Sequence, residues 1–297
     1  MAGGWDGTVG ELLAEARARL AAAGVDGSDR EAAWLLAHVL GCTAGALAAR
    51  RAEALPPAAA AAFGALVARR AAREPLQYIL GTEEFMGLTF QVSPAVLIPR
   101  QDTAVLVEQA VAWLTRAAEA GREPVLVADV GTGSGAIAVA VARLLPRARV
   151  VAVDVSAAAL AVAAENARLN GVADRVEFRQ GDLLAPLRAE SGAVRFAAIL
   201  CNPPYIGEAE IPGLMPEVRD WEPRIALSPG ADALAFYRRL AREAPSLLRP
   251  GGFLAVEVGA GQAQAVAGLF QAAGFEGIAV YPDSAGVDRA VFGSVAP

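Results

Sequence analysis

The stretch Val127-Ala128-Asp129-Val130-Gly131-Thr132-Gly133-Ser134-Gly135-Ala136-Ile137 decides the fold: an apolar β-run breaks into three alternating glycines and reopens as a helix. Glycine lacks a Cβ, so such a junction turns tightly and lets the first N–H groups of the helix face a ligand. Alone the signal is weak. Gly131, Gly133 and Ala136 also satisfy the dinucleotide pattern G-x-G-x-x-A, which keeps a nicotinamide oxidoreductase in view, and a plain tight turn uses the same residues.

Outward from this junction, apolar runs alternate with helical stretches. Val125–Val130 is followed by a helix to about Leu145, Arg149–Asp154 by a helix to about Asn170, and Val176–Phe178, Phe196–Cys201 and Phe253–Val258 come later. Such alternation predicts βαβ units and a mainly parallel sheet, with Gly274–Val280 and Asp288–Gly293 as an antiparallel pair at its edge. Three acids fall at successive strand ends. Asp154 is placed to take two ribose hydroxyls, and Asp182 to accept from an adenine amino group with Leu183 packed on the base. Asp129, just before the first glycine, suits a cationic ligand such as a sulfonium amino acid better than a pyrophosphate.

Asn202-Pro203-Pro204-Tyr205 closes the fourth run, beside the expected ligand. Prolines punctuate strand ends routinely, so a rigid turn is the bland alternative. The chemistry available is specific. A planar amide or aromatic amine must be oriented before its delocalised nitrogen attacks a methyl sulfonium. The Asn202 carboxamide oxygen and the Pro203 carbonyl can each accept one N–H of such a group. The proline rings fix φ, and Tyr205 offers a flat face. Holding the nitrogen about 3–3.5 Å from the methyl carbon makes positioning and electrostatics the main sources of rate. No strong general base is visible near the motif, so the proton is expected to leave to water.

The first 75 residues read differently. Thr8-Val-Gly-Glu11 and Ser28-Asp-Arg-Glu31 both fit a capping box, Leu12, Leu13, Ala16 and Leu20 recur at helical spacing, and Gly24 follows as a stop. Pro56-Pro57 opens a further helix carrying Phe63, Leu66 and Val67, so a small helical bundle is expected. Phe85-Met-Gly-Leu-Thr-Phe-Gln-Val then alternates with period two between glycine and proline, which predicts a β-hairpin linker.

Composition excludes several classes. The 297 residues are 55% hydrophobic with a mean hydropathy of +0.39, much of it alanine. No run of bulky apolar residues is long enough to span a bilayer, and the start, Met-Ala-Gly-Gly-Trp-Asp, lacks a secretory pattern, so a cytoplasmic protein is expected. A net charge of −6 and a pI near 5.1 argue against broad binding to a nucleic-acid backbone. Cys42 and Cys201 are too far apart in sequence to suggest a metal cluster and are expected to be buried, and His38 sits in an apolar helical pattern with Trp34, Leu35, Val39 and Leu40. No metal site is expected.

Taken together the chain resembles the peptide-chain release factor glutamine methyltransferase family over nearly its whole length. Besides the glycine loop and Asn-Pro-Pro-Tyr-Ile, the resemblance includes Gln77-Tyr-Ile-Leu-Gly81, Val96-Leu-Ile-Pro-Arg100, Glu217-Val-Arg-Asp-Trp-Glu-Pro223, Phe236-Tyr-Arg-Arg, Gly251-Gly-Phe-Leu-Ala-Val-Glu257 and Asp283-Ser-Ala-Gly-Val-Asp-Arg289. It implies an α/β fold: a Rossmann-like class I methyltransferase sheet over 102–297, a helical substrate-docking domain over 1–75 and a hairpin linker over 76–101. It further implies S-adenosyl-L-methionine held by Gly131 to Gly135, Asp154, Leu183 and Asn202. The substrate would be the glutamine of the Gly-Gly-Gln loop of class I release factors, its amide held by Asn202 to Tyr205, and a monomer is expected. Two departures stand out: Gln101-Asp-Thr-Ala104 where the family usually has Pro-Glu-Thr-Glu, and Ala231 and Ala233 where glycines are common. A ribosomal-protein glutamine methyltransferase and an adenine-N6 DNA methyltransferase share the catalytic motif and remain alternatives. A non-catalytic adenosylmethionine scaffold would predict damage to Asn202 or the glycines, and there is none.

Overall fold

The computed structural model describes residues 5–118, 124–188 and 195–297. The chain divides into two compact units, Met1–Gly81 with Met215–Trp221, and Thr82–Leu214 with Glu222–Pro297. The first boundary thus falls at Gly81 rather than at residue 75, and a seven-residue segment from late in the chain joins the helical unit.

The first unit contains α1 (Val9–Ala22), α2 (Ser28–Leu40), a 3₁₀ turn (Ala44–Arg50), α3 (Pro57–Ala71) and α4 (Leu76–Leu80). Leu12, Leu20, Leu35, Leu36, Phe63 and Val67 fill its core. The Thr8–Glu11 capping box forms. The one expected at Ser28 does not: Gly27, with φ +68°, caps α2, and the Glu31 carboxylate is taken by Arg70 at 2.5 Å. Arg70 also reaches Glu217 at 2.9 Å, and Arg73 holds both oxygens of Glu217 at 2.6 Å, so Met215–Trp221 is tied in by a mostly buried ion cluster. His38 is exposed near the end of α2 and Cys42 is half-buried, whereas Cys201 is buried in the second unit.

The second unit opens with a hairpin, β1 (Thr82–Phe85) and β2 (Leu88–Gln91). Its turn, Met86-Gly87, lies inside the alternating stretch, and both residues have positive φ, as a two-residue primed turn requires. Then follow α5 (Thr103–Ala118), β3 (Val125–Val130), α6 (Ala136–Leu144), β4 (Ala148–Asp154), α7 (Ala157–Leu169), β5 (Val176–Gln180) and β6 (Phe196–Cys201). After the excursion, which carries α8 (Pro216–Arg219), come α9 (Arg224–Leu227), α10 (Ala235–Glu243), β7 (Leu248–Glu257), α11 (Ala263–Ala272), β8 (Glu276–Pro282) and β9 (Asp288–Ser294).

The seven-stranded sheet has the order β5-β4-β3-β6-β7-β9-β8, parallel as far as β7 and antiparallel beyond. Strand β7 starts earlier than the apolar run suggests. Pro250-Gly251 reads as a turn, but the register jumps between Phe196–Leu248 and Ala198–Phe253, and the irregularity absorbs it. Strand order reverses between β3 and β6, and at the carboxyl ends of such strands a parallel sheet leaves a crevice. The loops after β3 and β6 carry the glycines and Asn202.

Candidate active site

That crevice is a cavity of about 250 Å³, near the lower end for small-molecule sites, with mainly apolar walls. Gly131, Thr132, Gly133 and Ser134 form one side, Asp154, Asp182 and Leu183 another, and Asn202, Pro203 and Pro204 a third. The loop after β3 is held from below, with the N–H groups of Gly131 and Thr132 both donating to the Val153 carbonyl at 2.8 and 2.9 Å. Gly131 has φ +74°, a conformation that favours glycine, while a Cβ there would meet the Asn202 carbonyl only at an ordinary van der Waals distance of 4.0 Å.

Three expected residues lie off the cavity wall. Asp129 is buried beneath the loop, only 1% exposed, with Oδ2 accepting from Thr132 Oγ1 at 2.6 Å and from the Ala138 N–H at 3.0 Å. It therefore braces the loop instead of facing a cation, and burial pushes its carboxyl up to about 7. Gly135 packs on α7, where a Cβ would sit 3.1 Å from that of Ala163. Tyr205 turns its hydroxyl inward to Glu257 at 3.4 Å, and burial followed by that carboxylate holds its pKa well above the usual phenol range. The expected flat face is thus not part of the lining; Phe236 supplies an aromatic side chain there.

Asp154 accepts from the N–H groups of Gly133 and Ser156, both at 2.9 Å, which fixes its carboxylate at the pocket edge with lone pairs to spare. Asp182 is on the rim and paired with Arg239 at 2.6 and 3.2 Å. Leu183 has φ +47°, an uncommon conformation for a branched residue that sets it into the wall. A glycine cradle, a carboxylate at the end of β4 and apolar walls fit a nucleoside ligand. Arg100, the cation among the described lining residues, is already held by Glu222 at 2.6 and 2.7 Å and is not free to act as a phosphate partner.

The two sequence departures have local accounts. Gln101 donates to the Glu84 carbonyl at 3.0 Å, and Asp102 pairs with Arg289 at 2.8 Å. Around Ala231 and Ala233, Asp232 pairs with Arg238 and caps the Leu234 N–H.

The chain is 51% identical over 283 residues to the release factor glutamine methyltransferase of Moorella thermoacetica, covering 95% of this chain and 96% of that one. It is 47% identical over 288 residues to the enzyme of the same name from Geobacter sulfurreducens, covering 97% of each. The chain belongs to the release factor glutamine methyltransferase family. Within it, the family described as PrmC N-terminal domain matches residues 11–81, and that described as Methyltransferase small domain matches 108–213. Among solved structures, the hMettl16 catalytic domain in complex with MAT2A 3'UTR hairpin 1 shares the fold, with TM-score 0.56 and 16% identity over 78% of this chain and 83% of that one.

Four residues to which sequence reasoning gave no role complete the site: buried Thr103 and Glu257, which the family motifs carry, and outside those motifs half-buried Gln262 and buried Asn166. Thr103 lines the cavity and donates to Glu257 at 2.6 Å, while Asn202 Nδ2 reaches Thr103 Oγ1 at 3.3 Å. Glu257 is 1% exposed at the end of β7, and burial raises its carboxyl to about 7. Gln262 supports the same loop by donating to the Tyr205 carbonyl at 3.0 Å. On the opposite wall Asn166 is fully buried, bonding Gln91 of the hairpin at 2.6 and 3.0 Å and the Ser134 carbonyl at 2.9 Å. A polar residue on the inner face of a helix, as Asn166 is, was the one readable signal; Thr103 and Glu257 read as an N-terminal helix residue and a strand end.

Proposed function

We propose that this chain transfers a methyl group from S-adenosyl-L-methionine to the side-chain amide nitrogen of the glutamine in the Gly-Gly-Gln loop of class I peptide chain release factors. The products are N5-methylglutamine and S-adenosylhomocysteine, made in the cytoplasm where termination occurs. What carries the reading is the convergence of Asn202, Pro203 and Pro204 on one cavity with the glycine loop, in a family whose named members act on release factor glutamine.

Gly131 to Ser134 would hold the methionyl end of the cofactor, Asp154 its ribose, and Leu183 its base. When bound, the sulfonium supplies an electrophilic methyl group and a neutral thioether leaving group. Asn202 Oδ1 and the Pro203 carbonyl accept the two N–H groups of the amide, holding its plane and drawing the lone pair toward nitrogen. Asp154 spends its remaining lone pairs on the ribose and Asp182 is paired with Arg239, so neither is assigned as base and the proton passes to water. The helical unit docks the release factor.

The test is methylation with labelled S-adenosylmethionine, offering a release factor, the same factor with its loop glutamine changed to alanine, a ribosomal protein and duplex DNA, with Asn202→Ala as enzyme control. Label on the loop glutamine, absent with either substitution, supports the reading. Label on the ribosomal protein or on DNA alone would replace the substrate and leave the methyltransferase in place.

A further inference from the structure

An asparagine side chain presents an acceptor on one side and a donor on the other, and a half-turn about χ2 exchanges them. At Asn202 the difference decides catalysis, since a substrate NH₂ group needs an oxygen and is repelled by a second NH₂. Neither the strand nor the prolines that follow determine which end faces the cavity. The hydrogen-bond chain behind Asn202 does. Glu257 is buried and, when ionised, can only accept, so the single proton of Thr103 Oγ1 is committed to it at 2.6 Å. Toward Asn202, Thr103 then has only lone pairs to offer. The group it meets at 3.3 Å is accordingly Nδ2, which leaves Oδ1 for the cavity.

We propose that Thr103 and Glu257 are positioning residues for Asn202, fixing its carboxamide so that Oδ1, and not Nδ2, meets the substrate nitrogen. The proposal deepens the glutamine-amide reading and rests on it for its kinetic consequences. Protonation of Glu257 reverses the chain: a neutral carboxyl can donate to Thr103, freeing the hydroxyl proton to turn toward Asn202 and favour the opposite orientation. The groups around Glu257 are Asp102, which opposes its ionisation, Arg289, which favours it, the hydroxyls of Thr103 and Tyr205, Cys201 nearby, and Tyr237, which donates to its backbone carbonyl at 3.0 Å. With the Glu257 carboxyl pushed up to about 7, the active arrangement is gained as pH rises through neutrality.

Two readouts test this. In kinetics, Thr103→Val should lower kcat roughly ten- to a hundredfold, as for an unpaired buried donor, with KM for both substrates changed less than about threefold. Thr103→Ser should restore the rate, and Glu257→Gln, which keeps an acceptor but cannot ionise, should flatten the acidic limb of the kcat profile. The second readout needs no substrate. The chain has three asparagines, Asn166, Asn170 and Asn202, so selective ¹⁵N labelling gives three side-chain amides, the first two reporting on folding of the same unit. The Asn202 amide should titrate near pH 7 in the wild type, lose its hydrogen-bonded shift in Thr103→Val, and cease to titrate in Glu257→Gln. Wild-type kcat in Thr103→Val, or an Asn202 signal indifferent to both substitutions, overturns the proposal. If no glutamine is methylated yet the amide responds as described, the positioning stands and the substrate reading fails.

Discussion

Replacing Glu257 by glutamine should change how the stability of the second unit depends on pH. Burial raises this carboxyl from the ordinary 4.5 to about 7 in the folded chain. Between those values the folded state binds more protons than the unfolded one. The stabilisation is therefore fully present below 4.5 and is lost as pH rises through 7. At about 1.36 kcal/mol per pKa unit, going from about pH 5 to about pH 8 removes roughly 2.5 kcal/mol from the wild type through this one group. Glutamine does not titrate, so the stability difference between variant and wild type should move in favour of the variant by that amount, whatever its absolute size. Urea unfolding at the two pH values measures it. Trp113, whose ring lies 5.2 Å from Phe253 and 5.4 Å from Phe292, is the tryptophan of this unit, and Trp5, Trp34 and Trp221 of the other unit can be changed to phenylalanine in both backgrounds. A difference that stays flat with pH, or that moves toward the wild type, would refute the argument from burial.

Arg70→Met should destabilise the helical unit by about 1–3 kcal/mol, because it strips the partner from the largely buried Glu31 carboxylate while Glu217 keeps Arg73; adding Glu31→Gln should recover part of the loss in urea titrations. Gly135→Ala combines a φ of +82° with a Cβ 3.1 Å from that of Ala163 and 3.3 Å from its Cα, so Ala163→Gly should relieve only part of the cost, and a loss of at least about 1–2 kcal/mol from backbone strain should remain in thermal unfolding of the double variant. Asp154→Ala should weaken S-adenosylmethionine binding at least about tenfold by calorimetry, through loss of the ribose acceptor and of the bond that orders Gly133.

The glycine loop, Asp154 and Asn202 were legible because strand ends and tight turns follow local rules. The positioning of Asn202 was not, since Thr103 stands 99 residues before it and 154 before Glu257, and no periodicity links such positions. Asp129 was legible as a strand-end acid, but only packing shows that its carboxylate turns under the loop toward Thr132 and Ala138. At α2 a glycine in the left-handed region outcompeted the serine box, because Glu31, the residue that would have closed the box, is drawn to Arg70 from 39 residues away. The hairpin was visible as alternation, though its turn sits at Met86-Gly87 within the alternating run.

Synthesis on the ribosome is vectorial, and the Met215–Trp221 excursion sets that order against the order of assembly. Arg73 is made 144 residues before Glu217, the carboxylate that receives it. At about 5–20 residues per second, roughly 7 to 30 s pass before that partner exists. In that interval Arg70 has Glu31, and Arg73 has the carbonyls of Ala23 and Gly24, but neither has Glu217. The unit that is translated first is therefore the one that must wait for a residue translated late. A polypeptide ending at Gly81 would carry α1 to α4 of that unit without one of its own counter-charges.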